Sequence, residues 1–164
     1  LLIDAFNIVA KQSKYHLVLV GNKGWSSDSI FSAIEDSPFR DRIHVSGHIS
    51  DEDLIYVYNG ASLFVFPSFY EGFGFPPLEA MRCGVPVISS NAGSLGEVLK
   101  DGALLFDPKN FTADELADKI SCVLSDEDLQ KELITKGSNV AAEYEWSKTA
   151  KKTLDIYRMV ANGK

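Results

Sequence analysis

Residues 69–90, FYEGFGFPPLEAMRCGVPVISS, decide how the rest of the chain reads. Two glutamates, Glu71 and Glu79, stand on either side of a turn of alternating Gly and Phe. Pro76 and Pro77 then open a helix, because a first-turn proline gives up an N–H that has no helical partner anyway. Gly84 closes that helix, and VPVISS follows as an apolar strand. On the other side, SLFVFPS at 62–68 is an apolar run that ends in a turn residue, so it is a strand too. The unit is strand, loop, helix, strand, and the acidic loop lies at a strand's carboxyl end.

The same alternation continues on either side of this unit. HLVLVG at 16–21 is a continuous apolar run ending in Gly, the pattern of a strand buried on both faces. RIHVSG and ALLFDP predict shorter strands, with a polar helix over 28–36 and another across DEDLIYVYNGA, where Leu54, Val57 and Tyr58 share a face. LLIDAFNIVAK starts the chain as an amphipathic helix already under way, with Leu1, Leu2, Ala5, Phe6, Ile8 and Val9 on one stripe. From 112 onward only helix is predicted: one stripe of Leu116, Ile120, Val123 and Leu124, a second of Leu129, Leu133, Val140 and Tyr144, and a last helix capped by Ser147 with Ala150, Leu154 and Tyr157 inward. Alternating helices and buried strands imply an α/β fold, a Rossmann-like parallel sheet with helices on both faces and a helical C-terminal tail. Residues 1–164 read as one domain, cut from a longer protein since no Met opens it.

Composition narrows the function classes. The 164 residues are 45% hydrophobic and 24% charged, as in an ordinary globular protein, and no apolar run approaches the ~20 residues of a membrane span. A net charge of −7 disfavours nucleic acid as a partner while leaving room for a small anion in a locally favourable field. Cys83 and Cys122 have no metal-ligand spacing and suit inert thiols in a reduced, cytoplasmic compartment. SDEDL occurs at 50–54 and again at 125–129; each Asp-x-Asp could hold a metal, but a serine before an acidic first turn reads as a helix cap in both copies.

In an open parallel sheet, ligands bind beyond the carboxyl ends of the strands, where this loop lies. A helix N-terminus beside glycines suits an anion, because free amides point outward and the missing side chains let it approach. Glu79, placed in the first turn, can accept from two vicinal hydroxyls of a ribose, or serve only the helix dipole. Glu71 can accept from a second polyol. Gly72 and Gly74 can also be there simply to allow a positive φ, and Phe73 and Phe75 to fill a core. The combination fits one ligand, a sugar joined through a diphosphate to a nucleoside.

The segment Glu71-Gly-Phe-Gly-Phe-Pro-Pro-Leu-Glu79 resembles the E-x7-E motif of retaining glycosyltransferases of the two-domain GT-B fold, the large family 4 (group 1), and the flanking text through Leu99 follows the same pattern. The resemblance implies that the chain is the C-terminal, donor-binding half, with the first strand of its sheet and the N-terminal acceptor domain missing. It implies Glu71 as the catalytic residue beside the donor sugar and Glu79 on the ribose. It also implies donor contacts from Gly21, from Ile49 in VSGHIS, from the backbone of Gly72, Phe73, Gly74 and Phe75, and from Gly93 and Ser94. Glu97 reads equally as a helix-start acid or a ligand contact. The family's diphosphate-clamping cations lie upstream of Leu1; Lys23, Arg82 and Lys100 do not match them.

The activity so implied is transfer of a hexosyl group, mannosyl among the possibilities, in surface polysaccharide or lipopolysaccharide synthesis. The donor is a nucleotide-diphosphate sugar, and no metal or other cofactor is expected. The acceptor is a glycan or lipid-linked glycan held by the missing domain, which would also make any contact with the inner face of the membrane. Two alternatives share the architecture: a sugar-nucleotide epimerase, and a non-catalytic nucleotide-sugar-binding module. The isolated piece is expected to be inactive.

Overall fold

The structure, a computed structural model, describes residues 1–24 and 28–163. Helices and strands alternate through the first two thirds: α1 Leu2–Ala10, β1 Leu17–Val20, α2 Asp28–Glu35, β2 Ile43–Gly47, α3 Asp51–Gly60, β3 Phe64–Phe66, α4 Phe75–Arg82, β4 Val87–Ser90, α5 Leu95–Leu99 and β5 Leu104–Phe106. Three helices follow: α6 Ala113–Ser125, α7 Glu127–Glu143 and α8 Trp146–Ala161. Each pairing between these strands is parallel, so within each piece of sheet the carboxyl ends lie on one edge.

The expected α/β architecture is present, with the sheet in two pieces. β1 pairs with β2, and β3, β4 and β5 form the other piece in that order. Between the open edges of β1 and β3 runs an apolar cleft of about 970 Å³, lined by Leu17, Leu19, Phe64 and Phe66 among others.

β4 is the centre of the core. Its four residues are all buried, with Val87 in the cluster under α4, α5 and α7 and Ile88 in the cluster under α1 and α6. Leu116, Ile120 and Val123 of α6 pack in the second cluster with Ala5 and Val9 of α1; each of these Leu, Ile and Val side chains contributes roughly 1.5–3 kcal/mol by leaving water. The expected stripe on α7 holds, since Leu133 and Val140 are buried. α7 approaches α4 closely at Gly137, where a Cβ would stand 2.9 Å from Met81 Cγ and 3.2 Å from the Gly102 carbonyl. Gly84 closes α4 as expected: φ is +72°, its N–H donates to Met81, and the Val85 N–H reaches back to Ala80, a Schellman motif.

Four expectations need correction. β1 is not buried on both faces: Leu17 and Leu19 pack inward, but Val18 and Val20 remain 49% and 46% exposed, because nothing among the described residues fills the space beyond them. The second SDEDL is capped by Asp126, whose carboxylate accepts from the Asp128 and Leu129 amides, while Ser125 still belongs to α6; the first copy is capped by Ser50 as predicted. α8 starts one residue earlier than its supposed cap, and Ser147 only meets Glu145. Its stripe of Ala150, Leu154 and Tyr157 is exposed rather than buried, since periodicity tells which face is apolar but not whether a neighbour covers it. Of the thiols, Cys83 is half-buried and Cys122 exposed.

Candidate functional site

The loop between β3 and α4 is built around the backbone of Glu71. Its carbonyl accepts from both the amide and the hydroxyl of Ser94, each at 3.2 Å. Gly93, at φ +60°, lies so close beneath that any side chain there would strike the Glu71 carbonyl and amide. Ser68 Oγ reaches the Glu71 carboxylate at 2.9 Å and the Tyr70 carbonyl at 3.2 Å. Buried Ser90, the last residue of β4, donates to the Ser68 carbonyl at 2.5 Å. Two neighbouring strand ends and the start of α5 therefore fix one glutamate.

Glu79 is held differently. α4 begins at Phe75, so Glu79 falls in the second turn rather than the first, and no acidic residue occupies the first turn. A role in opposing the helix dipole, which fades beyond the first turn, does not explain it. Instead its Oε2 accepts from the Tyr58 hydroxyl of α3 at 3.0 Å. Burial, then the Glu79 charge and that hydrogen bond, push the Tyr58 phenol far above its ordinary range, so it stays a protonated donor. Burial, with Glu79 behind it, raises the Cys83 thiol as well, which keeps it protonated and unreactive.

The glycines separate into two kinds. Gly74 is needed by the fold: it caps α4 in the left-handed region, φ +94°, and a Cβ would collide with the Leu95 side chain. Gly72 is needed neither for φ nor for packing, because a Cβ there meets nothing within 4 Å among the described residues. The helix start is also a poorer anion site than its position suggests, since Pro76 and Pro77 carry no N–H. Outward amides in this region must come from the loop at Gly72 to Phe75.

Phe73 packs toward the core, edge-on to Tyr144 at 5.5 Å and tilted against Phe75 at 4.8 Å. Phe75 is exposed and stacks on Trp146 of α8, ring centroids 6.4 Å apart. Gly21 follows β1 with φ +138° and donates its N–H to the Gly47 carbonyl, which closes the β1–β2 edge. Gly21 and Glu79 line the same cleft between the half-sheets; Glu71, Gly93 and Ser94 lie outside that lining, around the neighbouring strand ends, and Ile49 follows β2. Glu97 sits in the first turn of α5. The local cations are engaged: Lys23 with Asp28 and over Phe31, Arg82 with Glu145, and Lys100 with Glu143.

The profile of the family described as glycosyl transferases group 1 matches residues 1–140. The chain belongs to that family. A curated relative in this glycosyltransferase family, O-antigen chain mannosyltransferase B of Escherichia coli, is 36% identical over 161 residues, 97% of this chain and 42% of that protein. Sucrose-phosphate synthase from Thermosynechococcus elongatus superposes with a TM-score of 0.84 at 28% identity, over 99% of this chain and 43% of that one. HepE of Anabaena, solved with UDP, superposes at 0.83 with 21% identity over 96% of this chain and 44% of that one, a likeness of fold. The chain thus spans less than half the length of these proteins and has the architecture of a GT-B C-terminal domain. No described helix is long and apolar enough to cross a membrane.

Two supporting side chains escaped the sequence. Ser68 and Ser90 stand at strand ends where serine is commonplace, and their link needs two strands in register, which no local pattern displays. Tyr58 was legible only as an apolar-face residue; its hydroxyl's target lies on another helix.

Proposed function

We propose that this chain is the donor-holding half of a retaining glycosyltransferase that moves a hexosyl group, mannosyl in the first instance, from a nucleotide-diphosphate sugar to a surface polysaccharide or related glycoconjugate. The observation that carries the reading is the independent fixing of two glutamates beyond the strands' carboxyl ends, Glu71 at its carboxylate by Ser68 and at its backbone by Gly93 and Ser94, and Glu79 at its carboxylate by Tyr58. An acid that served only solubility would need no such support. Gly72, glycine without a steric demand from the fold, leaves space for a ligand to reach the backbone. The O-antigen mannosyltransferase relative supports the sugar and the pathway class, and a chain of the same fold that holds UDP supports the nucleotide.

In this reading Glu79 accepts from the ribose hydroxyls, the loop amides from Gly72 to Phe75 meet the sugar and diphosphate, and Gly21 lies near the phosphates. Gly93 and Ser94 act through Glu71, and Ile49 lines the base pocket. Glu71 orients the donor sugar and stabilises positive charge developing at its anomeric carbon. Attack then proceeds on the face the diphosphate leaves, with the diphosphate taking the acceptor's proton, so catalysis rests on positioning and charge. The Asp-x-Asp pairs are engaged at helix starts, and turnover is expected to survive EDTA.

The test is steady-state transfer by the full-length enzyme carrying Glu71→Gln. A fall in kcat of a hundredfold or more is expected from loss of the charge. Near-normal turnover would remove Glu71 from the reaction, and epimerised donor formed without acceptor would favour an isomerase.

A further inference from the structure

We propose that Tyr58 is a positioning residue for nucleotide binding, holding the Glu79 carboxylate in the orientation that receives a vicinal diol. The proposal rests on the reading of Glu79 as the acceptor for ribose hydroxyls. Tyr58 lies in the last turns of α3, 7% exposed, its ring edge-on to Phe64 at 5.6 Å. A phenylalanine would fill that place in the core equally well. What the hydroxyl adds is one hydrogen bond, 3.0 Å long, to Glu79 Oε2 across the α3–α4 contact.

The chemistry of a carboxylate makes that bond selective. Two oxygens offer about four lone-pair positions. Tyr58 takes one of them on Oε2 from the protein side, which leaves positions on both oxygens for a pair of neighbouring hydroxyls. Glu79 itself is exposed, and a free glutamate samples several rotamers that a ligand would have to freeze. Tied to a buried ring on a different helix, it is set before the ligand arrives. Tyr58 touches no ligand in this arrangement and acts through Glu79.

The experiment compares full-length wild-type, Y58F and E79A proteins by calorimetric titration with GDP, UDP and their 2′-deoxy analogues, and by donor kinetics. Y58F is expected to weaken the better-bound ribonucleotide on the order of tenfold, as for a lost hydrogen bond to a charged group. Its 2′-deoxy analogue should change less than twofold, and the kinetic loss should fall on the donor KM rather than on kcat. Equal losses for both nucleotides, or none for either, would overturn the role of Tyr58. Unchanged ribonucleotide affinity in E79A would instead overturn the diol reading, as would failure of the wild-type protein to bind any of the four. Should Y58F melt early, 3-fluorotyrosine at position 58 keeps the ring and alters only the donor strength. A change of twofold or more confined to the ribonucleotide then supports the proposal, and no change contradicts it.

Discussion

At the scale of single residues, Glu71 is fixed through its backbone as well as its carboxylate. Gly93→Ala would place a methyl group against the Glu71 carbonyl at a left-handed φ, so Glu71 must move. Because a misplacement of about 1 Å can cost two orders of magnitude in rate, transfer by the full-length Gly93→Ala enzyme should fall at least tenfold. Turnover within twofold of wild type would show that the loop tolerates the shift. The two glycines of the turn should behave oppositely. Gly74→Ala strains an αL position and meets Leu95, so it lowers thermal stability by about 1–3 kcal/mol. Gly72→Ala should leave the melting temperature unchanged and weaken donor binding; the reverse pattern would contradict their assignment. The sequence announces Glu71, Glu79 and the glycines through their spacing. It cannot announce which glycine serves the fold, because that depends on Leu95 and on torsion angles, nor that Glu79 has passed out of the first turn.

At the scale of elements, helix starts and one close crossing carry the local stability. α7 depends on Asp126, which accepts from two otherwise unpaired amides; Asp126→Ala should cost ~1 kcal/mol in a denaturant titration. α6 begins with a reciprocal box in which Thr112 Oγ1 accepts from the Glu115 amide and Glu115 accepts from the Thr112 amide at 2.8 Å. That backbone hydrogen bond, followed by the Thr112 hydroxyl, holds the Glu115 carboxyl below its ordinary range. A depressed folded value means the contribution is complete above the unfolded glutamate pKa, about 4.3, and is lost as pH falls through the lower folded value. The acid limb of α6 unfolding should therefore flatten in Glu115→Ala. Gly137→Val at the α4–α7 crossing has no room against the Gly102 backbone and should destabilise by ~2–3 kcal/mol. Helical stripes and caps were readable here because they are local; the Gly137 approach was not, since it joins α7 to residues far away in the chain.

At the scale of the whole molecule, periodicity was sufficient for an α/β chain with parallel strands, and it misjudged what covers two surfaces. β1 and α8 carry the apolar patterns of buried elements, yet Val18, Val20, Leu154 and Tyr157 stand exposed. Pattern tells which face of an element is apolar and not what covers it; the relatives that this chain matches are more than twice its length. The apolar cleft between the half-sheets predicts that residues 1–164 alone bind a hydrophobic dye and melt below the longer protein. Equal melting temperatures would mean that the cleft is closed in solution.

The proposed function requires the Glu71–Glu79 loop to hold a nucleotide-sugar donor. Calorimetric titration of the full-length protein, wild type against Glu79→Ala, tests it most directly, using whichever of GDP, UDP, ADP and dTDP stabilises the wild type most in a thermal-shift panel. Saturable binding by the wild type is expected, with a Kd at least tenfold weaker in Glu79→Ala and the melting temperature of the free protein unchanged. Equal affinities in the two proteins would contradict it.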